Sequence, residues 1–273
     1  MKRILLSTVA LTLFAAGTVA QRATDKLNRG LVAVPSGSGS FVSWRIMGEE
    51  YYDTKYNLYR DGVKLNDAPL KVSNYTDNGG KAGSKYQVAA VVRGVEQEKC
   101  AEVTRWNNQY KDVPLKDVTN RNGATVTSKY EINDVSLGDV TGDGIVEFII
   151  KRNNTSGNLN ASDNKTEFNL YECYTIQGER LWWIDLGPNL MAGPDEQWDL
   201  VAFDWDQDGK AECVMRGADN MIIHTASGKA INIGNMNYYA PRDEYTHQGA
   251  EYLLYLNGET GEPYGWDGES EGF

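Results

Sequence analysis

DVSLGDVTGDGIVEFIIKR at residues 134–152 and DLVAFDWDQDGKAECVMRG at residues 199–217 align without a gap at an offset of 65 residues. Asp139, Asp143, Gly144, Glu147 and Lys151 fall on Asp204, Asp208, Gly209, Glu212 and Arg216. In each copy one apolar run enters an acidic loop and a second, FIIK or CVMR, leaves it, which reads as strand, loop, strand. A further pair of runs follows each copy. YECYTIQGERLWWIDLG (171–187) turns at Gly178, and EYLLYLNGETGEPYGW (251–266) turns between Gly258 and Gly261. Four short strands per unit, repeated, are the sequence appearance of propeller blades, so residues 106–273 are expected to form about two to three blades of a β-propeller.

The loops themselves suggest a cation. An EF-hand needs a bidentate glutamate at the twelfth loop position, between helices. Here the glutamate is ninth and strands flank the loop, so that motif is excluded. Alternating acids before a bend-permitting glycine still suit Ca2+, which accepts several carboxylate and carbonyl oxygens in loose geometry. Asp204, Asp206, Asp208 and Glu212 form the stronger candidate set. Asp139, Asp143 and Glu147 form the weaker one, because Thr141 stands where the middle acid would be. The competing reading is that the acids cap turns and hold a hairpin. A bound ion would stiffen a blade by neutralising clustered carboxylates.

Upstream, the pattern is short strands broken by turn signals. RGLVAV (29–34) precedes PSGSGS (35–40), read as a plain turn, and FVSWRI (41–46) alternates about one buried face carrying Trp44. Hairpins are expected at Asp61-Gly62 and Arg93-Gly94, and strands at SNYTD (73–77) and KYQVAAVV (85–92). Residues 21–105 are therefore expected to be a β-sandwich, with KYQVAAVV similar to a late strand of fibronectin type III modules. Residues 1–20 read as a signal peptide cleaved near Ala20: Lys2 and Arg3 precede an apolar stretch too short to span a bilayer comfortably. Secretion, periplasmic or extracellular, is the expected fate.

Loss of Lys2 and Arg3 moves the net charge from −11 to −13. So acidic a chain argues against nucleic acid or an anionic membrane as partner. The three cysteines, Cys100, Cys173 and Cys213, are too few for a disulfide framework, and Cys173 and Cys213 sit in apolar runs as buried thiols would.

Taken together, LNRGLVAV (27–34), FVSWR (41–45), NLYRDGVKLN (57–66), the acids and glycines of 133–144, GERLWWIDLG (178–187), Ala192-Gly193 and DGKAE (208–212) resemble the family 11 polysaccharide lyases, the rhamnogalacturonan lyases of pectin-degrading bacteria. The resemblance covers nearly all of the mature chain. It implies a fibronectin-like β-domain followed by an eight-bladed, calcium-bearing propeller. The implied reaction is β-elimination in rhamnogalacturonan I, between rhamnose and galacturonate. That chemistry needs a cation to neutralise the uronate carboxylate, a base for the C5 proton, and help for the leaving oxygen.

Two departures stand out. The family's Lys-Trp-Asp is replaced by Lys151, Arg152, Asn153 and Asn154, of which Lys151, Asn153 and Asn154 are candidate sugar contacts at the blade mouth. The histidine and tyrosine that usually follow Ala-Gly are replaced by Pro194 and Asp195, with Gln197 kept. No catalytic base is assigned; Arg242 and His247 are bystander candidates. With so few blades, the chain is expected to be the N-terminal part of a lyase, with pectic polysaccharide as partner and the remaining blades on another chain. Two alternatives stand beside this reading. One is a non-catalytic, calcium-dependent glycan-binding protein presenting Trp182, Trp183, Trp198, Tyr238 and Tyr239, though at alternating strand positions such rings are more often core. The other is an adhesion scaffold resting on the calcium loops alone.

Overall fold

The computed structural model describes residues 24–155, 166–190, 199–239 and 249–265. The signal stretch 1–20, Ala192, Gly193, Pro194, Asp195, Gln197, Trp198, Arg242 and His247 lie outside the described residues. Strands dominate throughout, and a single 3-10 turn, Thr127–Lys129, is the helical element among the described residues. The fold is all-β.

The first part has two antiparallel sheets. One joins β1 (Val32–Ser36), β2 (Gly39–Ser43) and β5 (Asn74–Asp77) in the order β1-β2-β5. The other runs β4 (Val63–Lys64), β3 (Lys55–Arg60), β6 (Lys85–Val92), β7 (Val95–Lys99), with β8 (Val103–Thr104) also pairing β6. Alternation decides the faces: Ala33, Val42, Leu58, Tyr86 and Val88 turn inward to one core with Trp44, whose ring meets Tyr56 edge-on at 5.5 Å. Both expected hairpin turns are present, with Asp61, Gly62, Arg93 and Gly94 all at positive φ, the twist that two-residue hairpins require. The expectation for 35–40 needs correcting. Pro35 and Ser36 end β1, Gly39 and Ser40 begin β2, and only the residues between them turn. Strand β2 also stops at Ser43, which leaves Ile46 exposed rather than on the buried face.

The second part contains the repeat. Strands β9 (Tyr130–Gly138), β10 (Glu147–Asn154), β11 (Leu170–Tyr174) and β12 (Arg180–Asp185) form an up-and-down meander. The second copy gives β13 (Val201–Phe203) and β14 (Glu212–Ala218), and β17 (Glu251–Leu256) pairs with β14. Between them, β15 (Met221–His224) and β16 (Ala230–Ile233) form a hairpin that does not stay with the second sheet. It extends the first by pairing β15 with β12, giving the order β16-β15-β12-β11-β10-β9. Residues 257–266 were expected to add a strand after the turn; among the described residues they add only an isolated bridge from Leu256 to Pro263.

The two sheets share one apolar interlayer. Ile149, Cys173, Trp182 and Ile184 come from the first sheet, and Cys213, Met215, Leu254 and Leu256 from the second. Both cysteines are buried free thiols, and Cys100 is partly buried and free as well. The Trp182 indole N–H donates to the Gly258 carbonyl at 2.6 Å, so the largest ring in the interlayer also ties the sheets by a hydrogen bond. Gly258 lies so close to the Ala211 carbonyl oxygen that a Cβ would overlap it. Gly258→Ala is expected to destabilise the chain by about 1–3 kcal/mol through forced overpacking. A lower urea midpoint with an unchanged slope would show it; an unchanged midpoint would mean that the two sheets separate here without cost.

Candidate metal centre

The second acidic loop, between β13 and β14, turns through two left-handed positions, Gln207 (φ 65°) and Gly209 (φ 104°). The first loop, between β9 and β10, does so at Gly142 (φ 77°) and Gly144 (φ 83°), the same two places at the repeat offset. A left-handed step brings alternate side chains to one side of the bend. In the second loop carboxylate oxygens of Asp204, Asp206 and Asp208 lie within 4.8 Å of one another. Backbone donors hold each acid: Gly209 N–H on Asp204 Oδ2 at 3.0 Å, Asp208 N–H on Asp206 Oδ1 at 3.0 Å, and Lys210 N–H on Asp208 Oδ1 at 2.8 Å. Asp204 Oδ1 is buried, the residue being only 2% exposed, and meets no partner among the described residues. An orphaned buried carboxylate oxygen beside two more carboxylates is costly unless a cation completes the group. This donor set fits a hard divalent cation. Glu212 stands apart from the three, its Oε2 accepting the Trp205 N–H at 3.1 Å.

The first loop is built differently. Asp139 Oδ1 accepts the N–H groups of Gly142 (2.8 Å) and Asp143 (3.1 Å), while Oδ2 accepts that of Gly144 at 2.7 Å. Glu147 Oε2 accepts the N–H groups of Val140 (3.0 Å) and Thr141 (3.2 Å), and Asp143 Oδ1 that of Ile145 at 2.8 Å. These acids hold the turn. Among the described residues Asp139, Asp143 and Glu147 do not gather as the second-loop trio does.

The three candidate sugar contacts lie on the last turns of β10's pleat, and all are buried: Lys151 at 1% exposure, Asn153 at 9% and Asn154 at 5%. Lys151 pairs in register with Asp134 on one side and Tyr171 on the other, on the face that packs into the interlayer. Among the described residues, Lys151 is thus covered rather than exposed. Asn154 accommodates its neighbours instead, taking Asn169 Oδ1 on its N–H at 2.8 Å and donating from Nδ2 to Glu167 O at 3.3 Å. Asn153 Oδ1 is buried with no partner among the described residues.

Arg152, which stands where an aromatic was expected, has a structural role. Its guanidinium donates to Glu172 at 3.0 Å and to the Lys116 carbonyl at 2.9 Å, pinning the segment before β9 onto the sheet. Arg180 reaches the other oxygen of the fully buried Glu172 at 2.7 Å. Sequence reasoning also missed Arg121, which clamps Asp185 (2.7 Å) and the Asn220 side chain (2.7 Å) from the irregular stretch before β9. Of the proposed aromatic platform, Trp182 is core. Trp183 stacks flat on His224 at 3.7 Å, and burial pushes that imidazole down to about 4, so it is neutral at neutral pH.

Burial pushes the Glu147 carboxyl up from 4.5 to about 7, against the opposing pull of the Thr141 and Val140 N–H groups. Asp139 and Glu212 are raised, again chiefly by burial. A carboxyl whose pKa is higher in the folded state stabilises the fold while protonated. That contribution is complete below about 4.5 and is lost as pH rises through about 7. In chelator, stability should therefore decline over that interval, and Glu147→Gln should flatten this part of the profile. Identical pH profiles for parent and variant would contradict the assignment.

Two sequence models of known families match the chain. Residues 22–106 match the rhamnogalacturonan I lyases beta-sheet domain, and residues 110–265 match the rhamnogalacturonan lyase family 11 C-terminal domain. The rhamnogalacturonan endolyase YesW of Bacillus subtilis is 41% identical over 245 residues, covering 89% of this chain and 38% of the relative. The exolyase YesX of the same organism is 38% identical over 247 residues, covering 89% and 39%. The crystal structure of YesW superposes with a TM-score of 0.73 at 40% identity, over 89% of this chain and 41% of that one. A rhamnogalacturonan lyase structure from Bacillus licheniformis gives 0.73 at 39% identity, over 89% and 41%. The chain thus spans less than half the length of the curated relatives it matches. With both of its parts matched in sequence, and two-sheet unit and repeat matched in structure, the chain belongs to the family 11 rhamnogalacturonan lyases.

Proposed function

We propose that this chain supplies the fibronectin-like β-sandwich (21–105) and first propeller blades (106–273) of a secreted, calcium-bearing rhamnogalacturonan lyase. The substrate is rhamnogalacturonan I, cleaved by β-elimination between rhamnose and galacturonate. The observation that carries the reading is the family match across both parts of the chain, including a relative named as an endolyase and one named as an exolyase. Asp204, Asp206 and Asp208 would hold Ca2+, supported by their convergence and by the unpartnered Asp204 Oδ1. Bound there, the ion supplies charge neutralisation, which stiffens the loop. Of the three sugar contacts read from the sequence, this reading keeps Asn153, whose Oδ1 has no partner among the described residues. No residue of this chain is assigned as the base or as the proton donor to the leaving oxygen. His224, neutral and stacked on Trp183, is not proposed for either role.

A second feature supports further blades. At the repeat offset, Ile149 and Lys151 correspond to Val214 and Arg216, and the first pair lies on the face that the second sheet covers. The matching face of the second sheet carries Val201, Val214, Leu253 and Tyr255 in register, with Val201 and Leu253 exposed. Val201 and Leu253, exposed on a face that otherwise carries the Arg216–Glu251 ion pair, are positions that another layer would cover. The occupant in this reading is a further sheet of the same repeat, on a polypeptide carrying the rest of the family fold.

The test is ultraviolet absorbance of the unsaturated uronate product from rhamnogalacturonan I. The chain alone should give none. The chain mixed with a polypeptide carrying the remaining blades should give a calcium-dependent rise. Activity from the chain alone would overturn the partial-propeller reading. A complex that forms and binds the polysaccharide without product would favour the glycan-binding alternative.

A further inference from the structure

The segment before β1 lies across both acidic loops. The Asp204 backbone N–H donates to Asp25 Oδ1 at 3.1 Å, the Lys26 ammonium donates to the Gln207 carbonyl at 2.7 Å, and the Asn28 N–H donates to the Gly144 carbonyl at 2.9 Å. Asp25 and Lys26 thus meet the second loop, and Asn28 meets the first. The loops also meet each other, through the Ala211 N–H on the Asp139 carbonyl at 2.7 Å. On its other side the segment is fastened to the first two-sheet unit. Arg45 donates its backbone N–H to Arg29 O at 2.8 Å and its guanidinium to Asn28 O at 2.7 Å, while Arg29 pairs with Glu50 at 2.8 Å.

Asp25 therefore brings a further carboxylate to a loop already crowded with Asp204, Asp206 and Asp208. Its Oδ1 accepts from the backbone of Asp204, the residue whose own Oδ1 lies buried and unpartnered among the described residues. No Lys or Arg forms an ion pair with any of these four acids among the described residues. Asp25 stands outside the trio whose oxygens lie within 4.8 Å of one another, but its charge adds to theirs. Lys26 on the Gln207 carbonyl and Lys210 beside Asp208 offset only part of it, so the repulsion opposes docking of the segment unless a further cation joins the loop.

We propose that Asp25 supports the cation site of the second acidic loop from outside the trio, through the Asp204 backbone, so that binding a divalent cation fastens residues 24–29, and the two-sheet unit attached to them, onto the repeat. This rests on the calcium reading of Asp204, Asp206 and Asp208 and extends it to a residue from the other part of the chain. Binding and docking are then linked reciprocally: whatever loosens the segment weakens the cation, and removal of the cation loosens the segment.

The test compares the parent chain with Asp25→Asn by calorimetric Ca2+ titration, and by tryptic cleavage at the exposed Lys26 with calcium and with chelator. Asparagine keeps the acceptor for the Asp204 N–H and removes only the charge. Calcium affinity is expected to fall by about 10–100-fold. Calcium should slow Lys26 cleavage in the parent and have little effect in the variant. In chelator, Asp25→Asn should be at least as stable to urea as the parent, since it relieves repulsion; a purely structural role for Asp25 would make it less stable. A parent that binds calcium beside a variant of equal affinity and equal protection would overturn this proposal and leave the calcium reading standing. A folded parent that binds no calcium would overturn both.

Discussion

Carboxylate crowding at one seam constrains the whole molecule. Asp204, Asp206 and Asp208 converge on a bend that two left-handed residues create, and that bend lies where the leading segment, the first acidic loop and the second sheet come together. Apolar burial in the interlayer holds the sheets against one another, but it acts without direction. The loops fix the register of what meets at the seam, because each contact there is a directed hydrogen bond to or from a loop backbone group. Glycine at 144 and 209 is needed for the same reason: the conformation that aims the acids is one that other residues adopt at a cost.

The first sheet carries its own polar constraint on the opposite face. Glu172 is enclosed between Arg152 and Arg180, and Asp185 is clamped by Arg121. Burial alone raises the Asp185 carboxyl, and the Arg121 guanidinium opposes that rise. Such pairs add little net stability over an apolar packing, yet breaking one strands a buried charge. Their consequence is positional. Arg152 and Arg121 tie the stretch around Lys116 and Arg121 to the strands it crosses.

Local signals are legible in the sequence. Asp61-Gly62 and Arg93-Gly94 specify their turns through their own backbone preferences, and the repeat registers because both copies keep the same glycine and acids. What depended on distant partners was not legible. The hairpin β15-β16 consists of runs too short to stand out, and only pairing with β12 gives them a place. Lys151 is a candidate sugar contact from its place after the acidic loop; its burial, rare for a lysine, follows from the face of β10 on which it falls. Asp25 carried no motif at all, and only the folded chain brings it to Asp204 from 179 residues away.

The central claim, that a cation completes the second acidic loop and thereby stabilises the chain, is tested most directly by thermal unfolding in calcium and in chelator. The parent and Asp204→Asn should be measured together. At about a hundredfold excess over Kd, a cation held only by the folded state adds about 2.7 kcal/mol. For a chain of this size that is a rise in Tm of about 5–10 °C. The account predicts such a rise for the parent and its loss in Asp204→Asn. Equal melting of the parent in calcium and in chelator would contradict it.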